Sequence, residues 1–251
     1  MTPPTRPLEG RIALVTGATR GIGRSAALAL ARAGARLILT ARTKAALEEV
    51  DDEVKQVGSS ATLVPLNLTH GDKVDALGPG LYERFGQLDI FIANAGILGT
   101  LSPLPHVKSD DWQRVMSLNV DANFRLLRTL DPLLRKSDAA RVVLVSSSAA
   151  WKCKAYWGPY SVSKAAVDAL MKTYANEVAN TAIRVNSLDP GATRTSMRAK
   201  AMPGEDPQTV ALPQSLDDVF IALASRECTH NGEVVVAQQH PAYRKLLTAP
   251  A

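Results

Sequence analysis

Residues 12–33 read IALVTGATRGIGRSAALALARA, and this stretch decides the fold. Its start is apolar and β-branched, which is typical of a buried strand, and its end is rich in alanine and leucine, which favours a helix. Between them, Gly17 permits a tight turn, Gly21 lets backbone amides approach a ligand, and Gly23 lets the helix pack close to the strand. A strand, a glycine-rich turn and a helix in this order predict a site for a dinucleotide phosphate at the helix amino terminus.

Short apolar runs alternate with helical segments along the rest of the chain. The runs lack alternation of apolar and polar residues, as expected for strands that are covered on both faces. We therefore predict an α/β fold: a single Rossmann-type doubly wound domain over residues 1–251, with a seven-stranded parallel sheet and helices on both faces. The predicted strands are 12–16, 37–40, 62–66, 90–93, 142–146, 183–188 and 233–237, and the predicted helices are 22–33, 43–57, 110–136, 161–180 and 215–225. Three other segments are predicted: a polar amino-terminal tail at 1–9, a substrate loop or lid at 197–213, and a carboxyl-terminal tail at 239–251.

The composition indicates an ordinary globular chain, with 46% hydrophobic residues and a net charge of +5. The basic residues form no stripe and no reading motif for nucleic acid, and arginines interrupt the most apolar stretch. We therefore expect no nucleic-acid partner and no membrane span. Cys153 and Cys228 lack the spacing of a redox pair, which favours a reducing, cytoplasmic location. The four histidines show no metal-ligand spacing, so we expect no metal site.

The end of the second predicted strand indicates which dinucleotide the site prefers. An NAD site typically has Asp or Glu there, which accepts a hydrogen bond from the ribose 2′-hydroxyl. This chain has Arg42 instead, with Arg20 in the glycine turn as a second cation. Arginine makes charge-assisted hydrogen bonds with phosphate, whereas a carboxylate would repel it. The two arginines therefore predict NADP(H); the alternative is a pair of solvated surface arginines.

Further motifs follow the later strands, and their order resembles the main branch of the short-chain dehydrogenase/reductase family. They are the segment 16–23, Asn94-Ala95-Gly96, Asn119, Ser147, Tyr160-x-x-x-Lys164 and Pro190-Gly191. Each motif alone is common by chance, but the ordered set is specific and covers nearly the whole chain. The resemblance extends to 3-oxoacyl-acyl-carrier-protein reductase-like members. It implies an NADP(H)-dependent oxidoreductase that transfers hydride between the nicotinamide and a carbonyl compound or secondary alcohol.

The resemblance assigns four catalytic residues: Asn119, Ser147, Tyr160 and Lys164. The sequence itself supports the central pair, because Tyr160 and Lys164 are four residues apart in a helical segment and so share one face. A free tyrosine has a pKa of about 10 and is a poor base at neutral pH, but a nearby cation lowers that pKa. Tyr160 is therefore expected to act as the general acid/base. By resemblance, Ser147 donates a hydrogen bond to the substrate oxygen and Asn119 supports Lys164 through a water relay.

The resemblance also assigns a set of cofactor contacts. They are Gly17, Thr19, Arg20, Gly21, Ile22, Gly23, Arg42, Asn67, Leu68, Asn94, Ala95, Gly96, Tyr160, Lys164, Pro190, Gly191, Thr193 and Thr195.

Four positions depart from the family pattern. Asn67 stands where an aspartate usually bonds the adenine, and Ala93 replaces the first of two asparagines. Asp189 precedes Pro190, where a small residue is more usual, and it would alter the substrate charge preference if it faced the nicotinamide. The last strand is followed by AQQH at 237–240 instead of an acidic-glycine ending, which puts the carboxyl-terminal interface in doubt.

Three loops, 97–105, 149–159 and 197–213, are expected to form the substrate pocket. The middle loop carries Trp151, Tyr156 and Trp157, a rim that suits an apolar or planar carbonyl compound. Two rival functions are open. Ser161 with Lys164 matches a serine-hydrolase pattern whose companion motifs are absent. A non-catalytic NADP(H)-binding regulator or sensor would use the same fold. By resemblance, we expect a homodimer or homotetramer that acts on a small molecule.

Overall fold

The structure is a computed structural model that describes residues 6–247. Seven strands form one parallel sheet in the order β3-β2-β1-β4-β5-β6-β7. The strands are β1 (Ile12–Thr16), β2 (Arg36–Ala41), β3 (Ala61–Pro65), β4 (Ile90–Ala93), β5 (Arg141–Val145), β6 (Arg184–Asp189) and β7 (Val234–Val236). The order reverses at β1, where Val15 lies opposite Leu39 of β2 and Ile92 of β4. In such sheets, ligands bind at the carboxyl ends of the strands beside this reversal.

Ten α-helices connect the strands within the described part of the chain. They are α1 (Gly21–Arg32), α2 (Lys44–Gln56), α3 (Gly71–Asp75), α4 (Leu77–Phe85), α5 (Ser109–Met116), α6 (Ala122–Leu134), α7 (Ala149–Lys152), α8 (Gly158–Glu177), α9 (Ser196–Ala201) and α10 (Asp217–Ala224). A π-helical turn, Ser117–Asp121, joins α5 to α6, so the single helix predicted at 110–136 is interrupted by a turn of wider pitch. Between residues 6 and 247, no helix has the length and apolar character of a membrane span.

Two apolar cores lie on the two faces of the sheet. Successive residues of a strand point to opposite faces, so Val15 belongs to one core and Leu14 to the other. Helices α1, α2 and α10 cover the first face with residues such as Leu30, Leu47 and Phe220. Helices α4, α6 and α8 cover the second face. Burial on both faces explains the continuous apolar runs of the central strands. The predicted doubly wound α/β fold with seven parallel strands is confirmed.

Helices α3 and α4, between β3 and β4, are the elements that the sequence reading missed. The segment Gly78-Pro79-Gly80 reads as a turn, because glycine and proline both disfavour a helix interior. In the fold, α4 packs against α6 at Gly78. A Cβ atom at Gly78 would clash with the carbonyl oxygen of Thr129. The glycine is therefore required by a close approach between two helices and does not mark a loop.

The predicted tails are partly packed against the domain. Leu8 is fully buried, and its amide donates to the carbonyl oxygen of Ala33 at 2.9 Å. The predicted amino-terminal tail at 1–9 is therefore wrong at Leu8, whereas Arg6, Pro7 and Glu9 are exposed, and residues 1–5 lie outside the described residues. At the other end, the amide of Leu212 donates to the carbonyl oxygen of Leu246 at 2.8 Å. The carboxyl-terminal segment thus contacts the predicted lid, while residues 248–251 lie outside the described residues; movement of the lid stays a prediction.

Candidate active site

The glycine turn after β1 has the backbone geometry that the sequence predicts. Gly17 and Gly21 have φ angles of +64° and +54°, a region that glycine adopts at no steric cost. A Cβ atom at Gly23 would clash with the carbonyl oxygen of Gly17 and with the side chain of Asn94. Gly23 therefore lets the first turn of α1 lie close to the residues that directly follow β1 and β4.

Two polar side chains join the ends of β1 and β4. The Thr16 hydroxyl accepts hydrogen bonds from the backbone amides of Asn94 and Ala95, both at 3.0 Å. The Asn94 side-chain amide donates to the carbonyl oxygens of Thr16, at 3.0 Å, and Gly17, at 3.2 Å. These bonds fix the glycine turn against the loop after β4. The role of the Thr16 hydroxyl could not be predicted, because threonine is also an ordinary strand residue.

A cleft of about 430 Å³ opens beside this turn, and a cavity of about 590 Å³ shares several of its wall residues. The walls include twelve of the predicted cofactor residues: Gly17, Thr19, Arg20, Gly21, Ile22, Arg42, Asn67, Leu68, Asn94, Ala95, Gly96 and Thr195. The remaining six, Gly23, Tyr160, Lys164, Pro190, Gly191 and Thr193, lie outside these walls. Among the other wall residues, Ile97 and Met197 begin two of the predicted substrate loops, whereas Leu118 and Ser196 were not predicted and carry no recognisable motif.

The charges of these walls suit a phosphorylated nucleotide. The first turn of α1 has no side-chain cap, so its free N–H groups and partial positive charge are directed at the cleft. Arg20 and Arg42 line both spaces, and Arg114 and Lys200 line the larger one. Within the described residues, no carboxylate lines either space. The donor set therefore fits a ligand that carries several phosphate groups, including one at the Arg42 end.

Tyr160 and Lys164 lie in the first two turns of α8, on its buried face. They are 8% and 5% exposed, and the Lys164 ammonium lies 5.7 Å from the centre of the Tyr160 ring. Lys164 Nζ donates to the carbonyl oxygen of Val145, at the end of β5, at 2.7 Å. A Cβ atom at Gly96 would lie 3.7 Å from Lys164 Nζ, and Gly96 lines the cleft. The Lys164 ammonium thus lies directly behind Gly96, just outside the wall of the cleft.

Burial shifts the ionisation of both members of this pair. Burial raises the pKa of Tyr160 to about 12; a hydrogen bond with Ser147 lowers it and the charge of Asp189 raises it. Burial likewise lowers the pKa of Lys164 to about 8, against the raising effect of Asp168. Burial therefore dominates the pKa of Tyr160 in the chain by itself, and the lowering of that pKa by Lys164 stays a prediction. Desolvation of the phenolate outweighs the neighbouring cation, whose own charge burial also disfavours.

Asn119 lies in the π-helical turn and is fully buried. Its side-chain oxygen accepts from the backbone amide of Ile97 at 2.9 Å, and its nitrogen donates to the carbonyl oxygen of Ile97 at 2.9 Å. The same nitrogen donates to the Ser163 hydroxyl at 3.0 Å. Asn119 therefore joins the loop after β4 to α8, beside Lys164. Its side chain makes these bonds rather than a direct bond to Lys164.

Asp189 is the last residue of β6, and its carboxylate bonds within the turn that follows this strand. Its carboxylate accepts a hydrogen bond from the amide of Gly191 at 3.0 Å, and burial raises its pKa. The side chain of Gln238 donates to the carbonyl oxygen of Pro190 at 3.0 Å and packs on Gly191. The unusual sequence after β7 thus supports the Pro190-Gly191 turn. Sequence reasoning missed Gln238, because no local pattern indicates which turn a distant glutamine will contact.

Two of the predicted substrate loops, 97–105 and 149–159, contact one another. The amide of Ser102 donates to the carbonyl oxygen of Tyr156 at 3.0 Å, and Tyr156 has a φ angle of +75°. The rings of Trp157 and Tyr160 pack edge to face with centres 6.1 Å apart. Trp151 is about half exposed, at 49%. An aromatic surface therefore lies next to Tyr160, as the sequence indicates.

Comparison with known proteins agrees with this geometry. The family model described as short chain dehydrogenase matches residues 11–206. The oxidoreductase YciK of Escherichia coli K12 is 39% identical over 219 residues, which cover 86% of each chain. A 3-oxoacyl-[acyl-carrier-protein] reductase of Synechocystis is 35% identical over 192 residues, covering 76% of this chain and 77% of the relative. A short chain dehydrogenase from Shigella flexneri 2a, in complex with NADP, superposes with a TM-score of 0.90 at 37% identity, covering 93% of this chain and 99% of the other. On the matched sequence, the shared fold and the placement of the motifs, this chain belongs to the short-chain dehydrogenase/reductase family and is an oxidoreductase of that type.

Proposed function

We propose that this oxidoreductase is NADP(H)-dependent and transfers hydride between the nicotinamide and a carbonyl compound or secondary alcohol, with Tyr160 as the general acid/base. One observation carries the proposal: Tyr160 and Lys164 are buried on one face of α8, with the ammonium 5.7 Å from the centre of the phenol ring, behind Gly96 of a cleft lined by cations. Burying a phenol and an ammonium together is costly, and such perturbed groups cluster at catalytic sites. A non-catalytic NADP(H)-binding sensor would have no use for this arrangement, so we do not favour that alternative.

The choice of NADP(H) rests on the charges around the cleft. Arg42 follows β2, where an NAD-selective site would have an acid, and Arg20 lies in the glycine turn. The NADP in the related Shigella structure supports the same choice. We assign Arg20 and Arg42 to the 2′-phosphate and the amino end of α1 to the pyrophosphate. The turn Pro190–Gly191, with Thr193 and Thr195, is assigned to the nicotinamide.

When bound, the reduced cofactor supplies the hydride. The Tyr160 hydroxyl donates its proton to the substrate oxygen as charge develops there. Ser147 donates a hydrogen bond to the same oxygen and so stabilises that charge. Lys164, held by Val145 from β5, provides the cation beside the phenol, and Asn119 keeps α8 and the loop after β4 in register.

The ionisation of Tyr160 favours the reducing direction. With a pKa raised to about 12, the phenol holds its proton at neutral pH, which is the state that protonation of a carbonyl oxygen requires. Oxidation of an alcohol requires the phenolate, which at that pKa is scarce below strongly alkaline pH. The compounds that we infer as substrates are carbonyl compounds with an apolar or planar body, which the aromatic rim of Trp151, Tyr156 and Trp157 would contact.

We also propose a homodimer or homotetramer in a cytoplasmic location. Phe124 on α6 and Val162 on α8 are 50% and 43% exposed and would be covered by a second copy. Both cysteines are free thiols, as in a reducing compartment. Light scattering of the purified protein tests the oligomer, and a monomeric mass would contradict it.

The experiment that tests the proposed function measures NADPH consumption by the purified protein. A panel of aliphatic, aromatic and 3-oxoacyl carbonyl compounds is tested with NADPH and, in parallel, with NADH. We expect turnover of at least one compound, a preference for NADPH, and loss of turnover in Tyr160→Phe. Tight NADPH binding without turnover of any compound would contradict the proposal.

A further inference from the structure

Asp168 is a buried carboxylate beside the proposed catalytic lysine. It follows Lys164 by four residues on α8, so the two side chains lie on the same face of the helix, one turn apart. Asp168 is 9% exposed. Its Oδ1 atom is buried and accepts no hydrogen bond from residues 6–247. A buried carboxylate is costly unless a cation or several donors stabilise it.

Lys164 likewise lacks a direct partner of opposite charge among the described residues. Its side chain is buried and donates to the Val145 carbonyl oxygen, which carries only a partial charge. Within the described residues, fourteen ion pairs are formed and Lys164 takes part in none of them. One helical turn therefore separates a buried cation from a buried anion, each without a direct ionic partner. At this separation in a low-dielectric interior, the two charges stabilise one another without contact.

We propose that Asp168 is a positioning residue of the active site, whose buried charge keeps the Lys164 ammonium protonated beside Tyr160. The inference rests on the proposed function, because it matters for catalysis only if Lys164 serves Tyr160. Asp168 touches neither the substrate nor the cofactor in this proposal. It acts through Lys164, and its charge is the property that counts.

Other charged groups near this face do not replace Asp168. On α8 itself, the other titratable residues are Tyr160, Lys172, Tyr174 and Glu177. Lys172, one turn after Asp168, is exposed, as is Glu177, and Tyr174 donates to Asp131. Strand β6 contributes Asp189, whose carboxylate accepts from the Gly191 amide. Helix α7 contributes Lys152, which is exposed. The remaining titratable groups on elements packed against α8 are Asp110, Asp111 and Arg114 on α5, Asp121 in the π-helical turn, Arg125, Arg128 and Asp131 on α6, Arg141 on β5 and Arg184 on β6. On α6, both arginines pair with Asp75 and Asp131 pairs with Arg135. Asp110 and Asp121 are exposed, Asp111 pairs with Arg114, and both strand arginines lie at the opposite end of the sheet, bonded to backbone carbonyls.

The test measures the titration of Lys164 directly, without a substrate. Protein labelled with ¹³C-lysine is titrated by NMR, and the Lys164→Met variant identifies the Lys164 signal. The wild type is expected to titrate near pH 8, because burial lowers the pKa of Lys164 to about 8 while Asp168 opposes that effect. In Asp168→Asn, the midpoint should fall by about one pH unit, since removing a buried opposite charge shifts a pKa by about 1–3 units. Asp168→Glu should restore most of the difference.

Glu177→Gln is the matched control, because it removes the same charge from the same helix. Glu177 is thirteen residues from Lys164, about 20 Å along the helix, and it is exposed. That distance exceeds the Debye length of about 8 Å at physiological salt, so the Lys164 midpoint should not move. An unchanged midpoint in folded Asp168→Asn, or an equal shift in Glu177→Gln, would overturn the proposal. If Asp168→Asn does not fold by circular dichroism, Asp168→Ser removes the same charge with a smaller side chain and is judged by the same criterion.

Turnover separates this inference from the proposed function. With an active carbonyl compound, Asp168→Asn should lower kcat by about twofold at pH 7, because the protonated fraction of Lys164 falls from about 0.9 to about 0.5, and by nearly tenfold at pH 9. The KM for NADPH should stay within twofold. If the NMR midpoint shifts but no carbonyl compound is reduced by the wild type, the proposed function fails and the electrostatic role of Asp168 stands. If turnover is normal and the midpoint does not shift, the inference fails and the proposed function stands.

Discussion

Replacing Lys164 with methionine should stabilise the fold while it impairs the site. Burial lowers the pKa of Lys164 from 10.5 to about 8, a shift of about 2.5 units. At about 1.36 kcal/mol per unit, the charged lysine costs the folded state about 3 kcal/mol, and this figure already includes the attraction of Asp168. Methionine fills a similar volume without a charge, but it leaves the Val145 carbonyl oxygen without its donor, at about 1 kcal/mol. The expected net gain is therefore about 2 kcal/mol at pH 7.

The pH dependence identifies the cause of this gain. Between pH 8 and 10.5 the unfolded wild type binds more protons at this lysine than the folded protein does, so wild-type stability rises with pH. The cost of the charge is present in full below pH 8 and is lost as the pH rises through 10.5. Urea unfolding at pH 7 and pH 10 measures both values, and the advantage of Lys164→Met should be nearly zero at pH 10. A variant that is less stable than the wild type at pH 7, or a gain that does not change with pH, would refute this reasoning.

Three further changes test other parts of the account. Arg42→Glu should weaken NADPH binding by about 1.5–3 kcal/mol, or roughly 10–150-fold, and leave NADH binding nearly unchanged or improved. Isothermal titration with both cofactors measures the two affinities. Equal losses for the two cofactors would contradict the assignment of the 2′-phosphate to Arg42. Gly78→Ala should lower the free energy of unfolding in urea by about 1–3 kcal/mol, because its Cβ atom would clash with the Thr129 carbonyl oxygen. Gly80→Ala is the control: the space around Gly80 is open, so the loss should be smaller. Leu8→Ala should cost about 2–5 kcal/mol because Leu8 is fully buried, and a loss below about 0.5 kcal/mol would restore the interpretation of residues 6–9 as a solvated tail.

The strands could be predicted closely because each central strand is buried on both faces. This burial gives continuous apolar runs with clear ends, so β1 and β4 have the predicted bounds and the other strands differ by a residue or two. Helix α4 could not be predicted, because Gly78 is selected by contact with Thr129 on a distant helix. Local sequence carries no information about such a contact. The burial of Leu8 could not be predicted for the same reason, because its polar neighbours in the sequence indicate a solvated segment.

The sequence predicted which residues meet at the candidate site better than it predicted the ionisation of those residues. In a parallel sheet, residues that follow successive strands gather at one edge, so the glycine turn, the segment after β4 and the start of α8 had to meet. The balance between burial and charge at Tyr160 depends on how deeply α8 packs, which spacing does not reveal. The use of Asp189 to bond Gly191, and of Gln238 to bond Pro190, likewise depends on side-chain directions that only the three-dimensional structure shows.

The central claim is that Tyr160 provides the proton in an NADPH-dependent carbonyl reduction. The most direct measurement compares wild type and Tyr160→Phe on the same carbonyl compound, after titration has shown that both bind NADPH with equal affinity. Loss of a positioned general acid lowers the rate by about 10²–10⁴-fold, so we expect kcat to fall by at least a hundredfold while the Kd of NADPH stays within twofold. A Tyr160→Phe variant that binds NADPH equally and retains more than a tenth of the wild-type kcat would contradict the account.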